Sequence, residues 1–267
     1  MVVEEIFVRV DQLIAFVLLL WLNGFACLFL FGLYKSPRNS RRDSKALRWV
    51  TLFEFSPESH RLSLFKSLAL ASVLGLFLEM LLIRWVSSEI RIFAYFKNFV
   101  LIACFMGFGL GYYLCRRKIN LLSLLLPLVL FTLIIMLPWG GLRLVMGSLS
   151  SYLGAVSEVH IWGVPSVPLS WSTVTIFFYV LLIVIPLFAL LSMTFVPVGQ
   201  LIGWLIENAP NGISGYTVNV VASLIGILLY SFLCQWHQPP TVWFAFAGVL
   251  TLILFWRPTF LRWTVFL

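Results

Sequence analysis

Seven times in 267 residues the chain runs for about 20 residues in which apolar side chains dominate and charges are scarce. That length matches the roughly 30 Å of hydrocarbon in a bilayer. A chain facing lipid must satisfy its backbone N–H and C=O groups internally, and alternating apolar–polar strands of about ten residues do not occur, so each run has to be a helix. Composition agrees: 61% of the residues are apolar, against 18 Lys and Arg and 10 Asp and Glu, and the mean hydropathy is +1.03. A soluble domain, which must clothe itself in polar side chains, is excluded.

The predicted fold is an all-α, polytopic transmembrane helix bundle with spans at 12–34, 66–86, 95–115, 119–139, 172–195, 216–234 and 240–256. Residues 1–34 form a first transmembrane helix, 35–65 a basic cytoplasmic loop, 66–257 a six-helix membrane domain and 258–267 a cytoplasmic tail. Glu4 and Glu5 precede the first cation, Arg9, unlike a cleaved leader, so the first span is expected to be retained. With the N-terminus outside, thirteen cations fall inside and five outside, and the positive-inside rule then gives an N-out, C-in arrangement. Trp85, Trp139, Trp171, Trp204, Trp236 and Trp256 stand where interfacial aromatic belts would put them.

The net charge of +8 would suggest nucleic acid in a soluble protein, but here the cations belong to loops and no nucleic-acid partner is expected. Lys35, Arg38, Arg41, Arg42, Lys45 and Arg48 crowd one stretch with a single acid, Asp43. It reads either as a topology signal or as a strip for anionic lipid headgroups or an acidic partner. Between spans four and five, apolar residues at three- and four-residue steps predict an outer interfacial helix near 142–157. Glu158 and His160 lie in that loop and His237 in the next outer one, so the two histidines are on separate loops with no i, i+4 pairing and no metal is expected, and no cofactor either. Cys27, Cys104, Cys115 and Cys234 read as small hydrophobes. Pro186 and Pro197 predict a kink in span five, with a short inner helix after Pro197 and a turn at Asn211-Gly212.

Polar and small residues inside the spans are the candidate functional positions. Ser72, Gly75 and Glu79 share one helix face, and a bare carboxylate about 10 Å deep costs several kcal/mol, so Glu79 must be protonated, paired or wetted. Lys97 and Tyr230 are candidate partners by height. Cys104, Gly107 and Gly111 form a small-residue stripe of GxxxG spacing, and Asn219, Ser223, Gly226 and Tyr230 share a face of span six. These stripes read as helix packing or as a substrate path. Arg84, Glu89, Arg91 and Lys97 make an outer charged rim, either interfacial snorkelling or a contact for a partner or anionic solute. No catalytic constellation of Ser, His and Asp, and no paired-acid or HExxH motif, is legible.

The block Phe77-Leu78-Glu79-Met80-Leu81-Leu82-Ile83-Arg84-Trp85, through Ser88-Glu89-Ile90-Arg91 to Gly107-Phe108-Gly109-Leu110-Gly111 and Arg116-Arg117, resembles bacterial membrane proteins of the spermidine synthase-like group. A second block is similar to the end of that group's membrane domain: Pro197-Val198-Gly199-Gln200, then Gly215 to Gly226, then Pro239-Pro240-Thr241-Val242-Trp243-Phe244. The resemblance covers about residues 75–250 and implies a membrane domain normally fused to a C-terminal, cytoplasmic aminopropyltransferase-like domain. That catalytic domain is expected to be absent here. The resulting expectation is a non-catalytic membrane subunit, anchoring or scaffolding a synthase-like protein or a larger complex, with anionic lipids and protein subunits as partners. The alternative is a transporter-like module for a small amine or other polar metabolite, with Glu79 as a cation or proton site, although no inverted repeat is visible.

Overall fold

The computed structural model describes residues 54–55, 63–89, 97–136 and 171–255. Six helices dominate: α1 (Leu64–Glu89), α2 (Lys97–Tyr113), α3 (Leu122–Met136), α4 (Trp171–Glu207), α5 (Gly212–Gln235) and α6 (Pro240–Phe255). Two short strands, β1 (Glu54–Phe55) and β2 (Ile119–Asn120), pair antiparallel, Glu54 opposite Asn120 and Phe55 opposite Ile119. The described chain is thus all-α apart from one two-residue ladder. Three stretches are long and apolar enough to cross a membrane, Leu64–Glu89, Val184–Glu207 and Gly212–Gln235; Asn98–Tyr113, Ser123–Leu133 and Pro240–Phe255 are shorter apolar helices. The predicted first span, the basic loop, the interfacial helix near 142–157 and the tail lie outside the described residues.

The helix ends follow local chemistry. Asn211, expected in a turn, is the N-cap of α5: its side chain accepts a hydrogen bond from the Ile213 N–H at 3.2 Å, satisfying a donor that the first turn leaves open. Pro240 begins α6, where a missing N–H costs nothing. His237, in the turn before it, takes a left-handed backbone conformation at φ 50°.

One expectation is corrected. α4 does not break after Pro197 into a separate inner helix; it continues for 37 residues through both prolines. Each proline removes one backbone hydrogen bond. Every residue from Leu190 to Gly203 is nevertheless buried, so neighbouring packing holds the helical path that the local rule disfavours.

The chain divides into two compact units. The first comprises the described parts of Val86–Ala103 and Leu128–Leu191; within it Phe99 and Phe188 meet edge-on with ring centroids 5.0 Å apart. The second comprises those of Ser44–Trp85, Cys104–Pro127 and Ser192–Leu267, and its hub is α1. Gly75 meets Phe108 of α2 and Val198 of α4. Val73 and Phe77 meet Gly226 and Tyr230 of α5 in ascending order, so α1 and α5 run in the same direction. Phe77 and Trp85 meet Phe246 and Phe244 of α6 in descending order, so α6 runs the other way.

Candidate functional site

Within the second unit, the small residues decide how closely backbones approach. A Cβ on Gly107 would strike the Ser192 carbonyl and come within 2.8 Å of the Phe195 Cβ; one on Gly111 would lie 2.7 Å from the Gln200 nitrogen. Two glycines of α4, spaced by four, face α2 in turn, and one of them, Gly199, stands opposite Gly111. A Cβ on Gly199 would stand 2.7 Å from the Phe108 carbonyl oxygen, and one on Gly203 would stand 3.1 Å from the Cys115 Cβ. This reciprocal seam brings α2 and α4 together where lipid supplies no hydrophobic drive. Gly226 plays the same part between α5 and α1, its missing Cβ falling 2.6 Å from the Val73 carbonyl oxygen. Gly75 is looser, with the Phe108 ring 3.1 Å from its missing Cβ. The approach of Gly199 and Gly203 to α2 had one signal in the sequence, a second GxxxG, beyond the expected end of span five.

The polar residues separate into three sets. Ser72 Oγ lies 2.8 Å from the Leu68 carbonyl oxygen and 2.7 Å from Asn219 Oδ1. One hydroxyl hydrogen serves one acceptor, so the pair is satisfied when Ser72 donates to Leu68 and the Asn219 amide, turned over, donates to Ser72. Ser223 is half-buried one turn further along α5. Glu79 is 2% exposed, and its Oε2 has no hydrogen-bond partner among the described residues. The Tyr230 hydroxyl likewise has no oxygen or nitrogen partner among the described residues, so the structure does not join these two residues. Its electrostatic neighbour is instead Cys104 of α2. The Lys97 side chain lies outside the described residues.

The third set is aromatic and cationic. Tyr230 packs edge-on against Trp243 of α6 with centroids 5.6 Å apart, and the Arg84 guanidinium carbon lies 5.4 Å from the centre of the Trp243 ring. Arg84 and Glu89 are exposed, Arg91 and the cations from Lys35 to Arg48 lie outside the described residues, and no cluster of metal ligands occurs among the described residues.

At the far end of α4 an ion pair appears that sequence reading missed. Arg116 Nε donates to Glu207 Oε1 at 3.1 Å, its Nη2 pairs with the same oxygen, and the Cys115 thiol donates to Oε2 at 3.6 Å. The hydrogen bonds to Glu207, and then its charge, raise the Arg116 pKa above its ordinary value; burial, then the bond to Glu207, raises that of Cys115. Nearby, Gln200 Nε2 donates to the Leu114 carbonyl at 3.1 Å, meeting an acceptor left open where α2 ends. These pairs are 86 to 92 residues apart, so no local pattern announces them. No protein-family model, curated protein or solved structure matches the chain.

Proposed function

We propose that the chain is a non-catalytic integral membrane subunit, with seven spans in an N-out, C-in arrangement in a bacterial inner membrane, that anchors or scaffolds a synthase-like protein or a larger complex. The observation that carries this reading is α5. It is apolar along 24 residues, yet only 17% of its most apolar window is buried, whereas the corresponding window of α4 is 83% buried. Val220, Val221, Leu224, Ile225, Leu228 and Phe232 are all exposed. In water such a surface would drive aggregation; it suits lipid or another membrane subunit. The reversal of direction between α1 and α6 and the motif resemblance support the same reading, and the basic segment Lys35–Arg48 would meet anionic lipid or an acidic partner.

The test is purification of the full chain in mild detergent, with mass measurement across a salt series. A stoichiometric synthase-like partner, released when Arg38, Arg41, Arg42 and Lys45 are replaced by Ser, is the expected result. A monodisperse monomer with no partner at any salt overturns the reading. Protease protection of a C-terminal tag checks the orientation: exposure of that tag on the outer face overturns it.

A second reading, a transporter-like module for a small amine or other polar metabolite, is favoured by one observation, the buried Glu79 Oε2, which has no hydrogen-bond partner among the described residues. Equal uptake into proteoliposomes by the parent and by Glu79→Gln removes this residue from any transport mechanism.

A further inference from the structure

Where the latter part of α1 meets the end of α5 and the start of α6, three hydrogen-bond donors gather without an anionic acceptor among the described residues. Trp243 is 7% exposed and Tyr230 5% exposed, and neither the indole Nε1–H nor the phenol Oη–H has an oxygen or nitrogen partner among the described residues. Cys234, one turn along α5, brings a weakly accepting sulfur near the Tyr230 hydroxyl. Arg84 lies over the Trp243 ring, and it forms no ion pair among the described residues.

Each of these groups alone has an ordinary explanation, because an exposed Arg can rest on a ring for the cation–π attraction. Together they are unusual, since buried donors ordinarily find acceptors and leaving one unmet costs about 1–3 kcal/mol. Two unmet donors on rings that touch each other, beneath a guanidinium with no ion pair, define a place with positive character and no anionic complement among the described residues. The two acids of α1, Glu79 and Glu89, each lie five residues from Arg84 and about 140° around the helix from it, and neither pairs with it among the described residues. The first turn of α6 adds its own positive end at Pro240–Trp243.

We propose that Arg84, Trp243 and Tyr230 form a binding site for a phosphate oxyanion. The Arg84 side chain, exposed and on a flexible stem, acts as the movable cover. Swung off the ring, it presents its fork of N–H groups to the phosphate, while the indole N–H and the phenol O–H below supply two further donors. The two rings stay fixed by their neighbours, Tyr230 against Phe77 and Trp243 against Tyr230. The phosphate is either the phosphodiester of a membrane lipid or a soluble phosphate that reaches the end of the bundle. The site is independent of whether the chain anchors a partner protein.

The experiment uses the purified full chain in neutral detergent. Retention of phosphatidylglycerol is measured by native mass spectrometry, and binding of inorganic phosphate by equilibrium dialysis with a radioactive label. Lipid retention that inorganic phosphate does not displace identifies the lipid source; phosphate binding that the lipid does not block identifies the soluble one. Either supports the site when Arg84→Gln weakens it about tenfold or more and Trp243→Phe and Tyr230→Phe each weaken it about threefold or more. Trp243→Phe and Tyr230→Phe keep the rings and remove only the donors, and circular dichroism verifies that each variant folds. Absence of both ligands from the parent protein overturns the proposal. So does a loss seen with Arg84→Gln alone, because that is surface attraction to one cation and needs no donors beneath it.

Discussion

Gly111 of α2 and Gly199 of α4 stand so close that neither has room for a side chain: a Cβ on Gly111 would lie 2.7 Å from the Gly199 Cα, and one on Gly199 would lie 3.2 Å from the Gly111 Cα. The relationship is mutual, so the seam between these helices depends on both residues at once. Gly109, between the two packing glycines of α2, faces open space, with nothing within 4 Å of a built Cβ.

Gly107→Ala and Gly111→Ala are therefore expected to destabilise the folded chain by about 1–3 kcal/mol each, because the neighbouring atoms are backbone and cannot rotate away. Gly109→Ala is expected to be neutral or slightly stabilising, since alanine is the better helix former. Denaturant titration of the purified variants in micelles, followed by circular dichroism, measures the difference. Equal stability of all three would remove the seam from the account.

Ser72 and Asn219 are joined across α1 and α5. A double-mutant cycle with Ser72→Ala and Asn219→Ala should return a coupling of about 0.6 kcal/mol, and no more than about 1.7, the range for polar contacts between membrane helices. Additive effects would mean that the two side chains do not interact in the folded protein.

Glu79→Met tests the buried acid. Replacing an unpartnered buried carboxyl by an apolar chain of similar length should leave stability unchanged or raise it. A marked loss of thermal stability would show instead that Glu79 holds a partner essential to the fold.

The Arg116–Glu207 pair is open to solvent, its side chains 79% and 42% exposed. Glu207→Gln should therefore lower the thermal midpoint only slightly at low ionic strength, and the difference should vanish near 1 M salt, where the screening length is about 3 Å. A large effect that salt does not reduce would contradict a solvated pair.

Much of the helical framework was legible in the residues themselves. The runs at 66–86, 95–115, 216–234 and 240–256 coincide within a few residues with α1, α2, α5 and α6, because length, apolar content and proline position act locally. The course of α4 was not legible, since Pro197 argues locally for an end and only burial from Leu190 to Gly203 keeps the helix going. Within the candidate site, the residue types could be picked out singly. Spacing placed Gly107 and Gly111 on one face but could not name Ser192 and Phe195 as the neighbours of the first or Gly199 as that of the second; height suggested Tyr230 for Glu79, whereas the ring of Tyr230 packs on Phe77 and Trp243.

Between Arg143 and Arg257 the chain carries two formal charges, Glu158 and Glu207. That scarcity by itself determines an apolar solvent and a helical backbone, because a peptide group without water must find its hydrogen bond within its own segment. Which glycine meets which carbonyl, which amide reaches Ser72 and which ring lies under Arg84 were decided only by tertiary structure. These contacts join residues far apart in the chain, and their strength depends on distances of a few ångströms that local spacing does not encode.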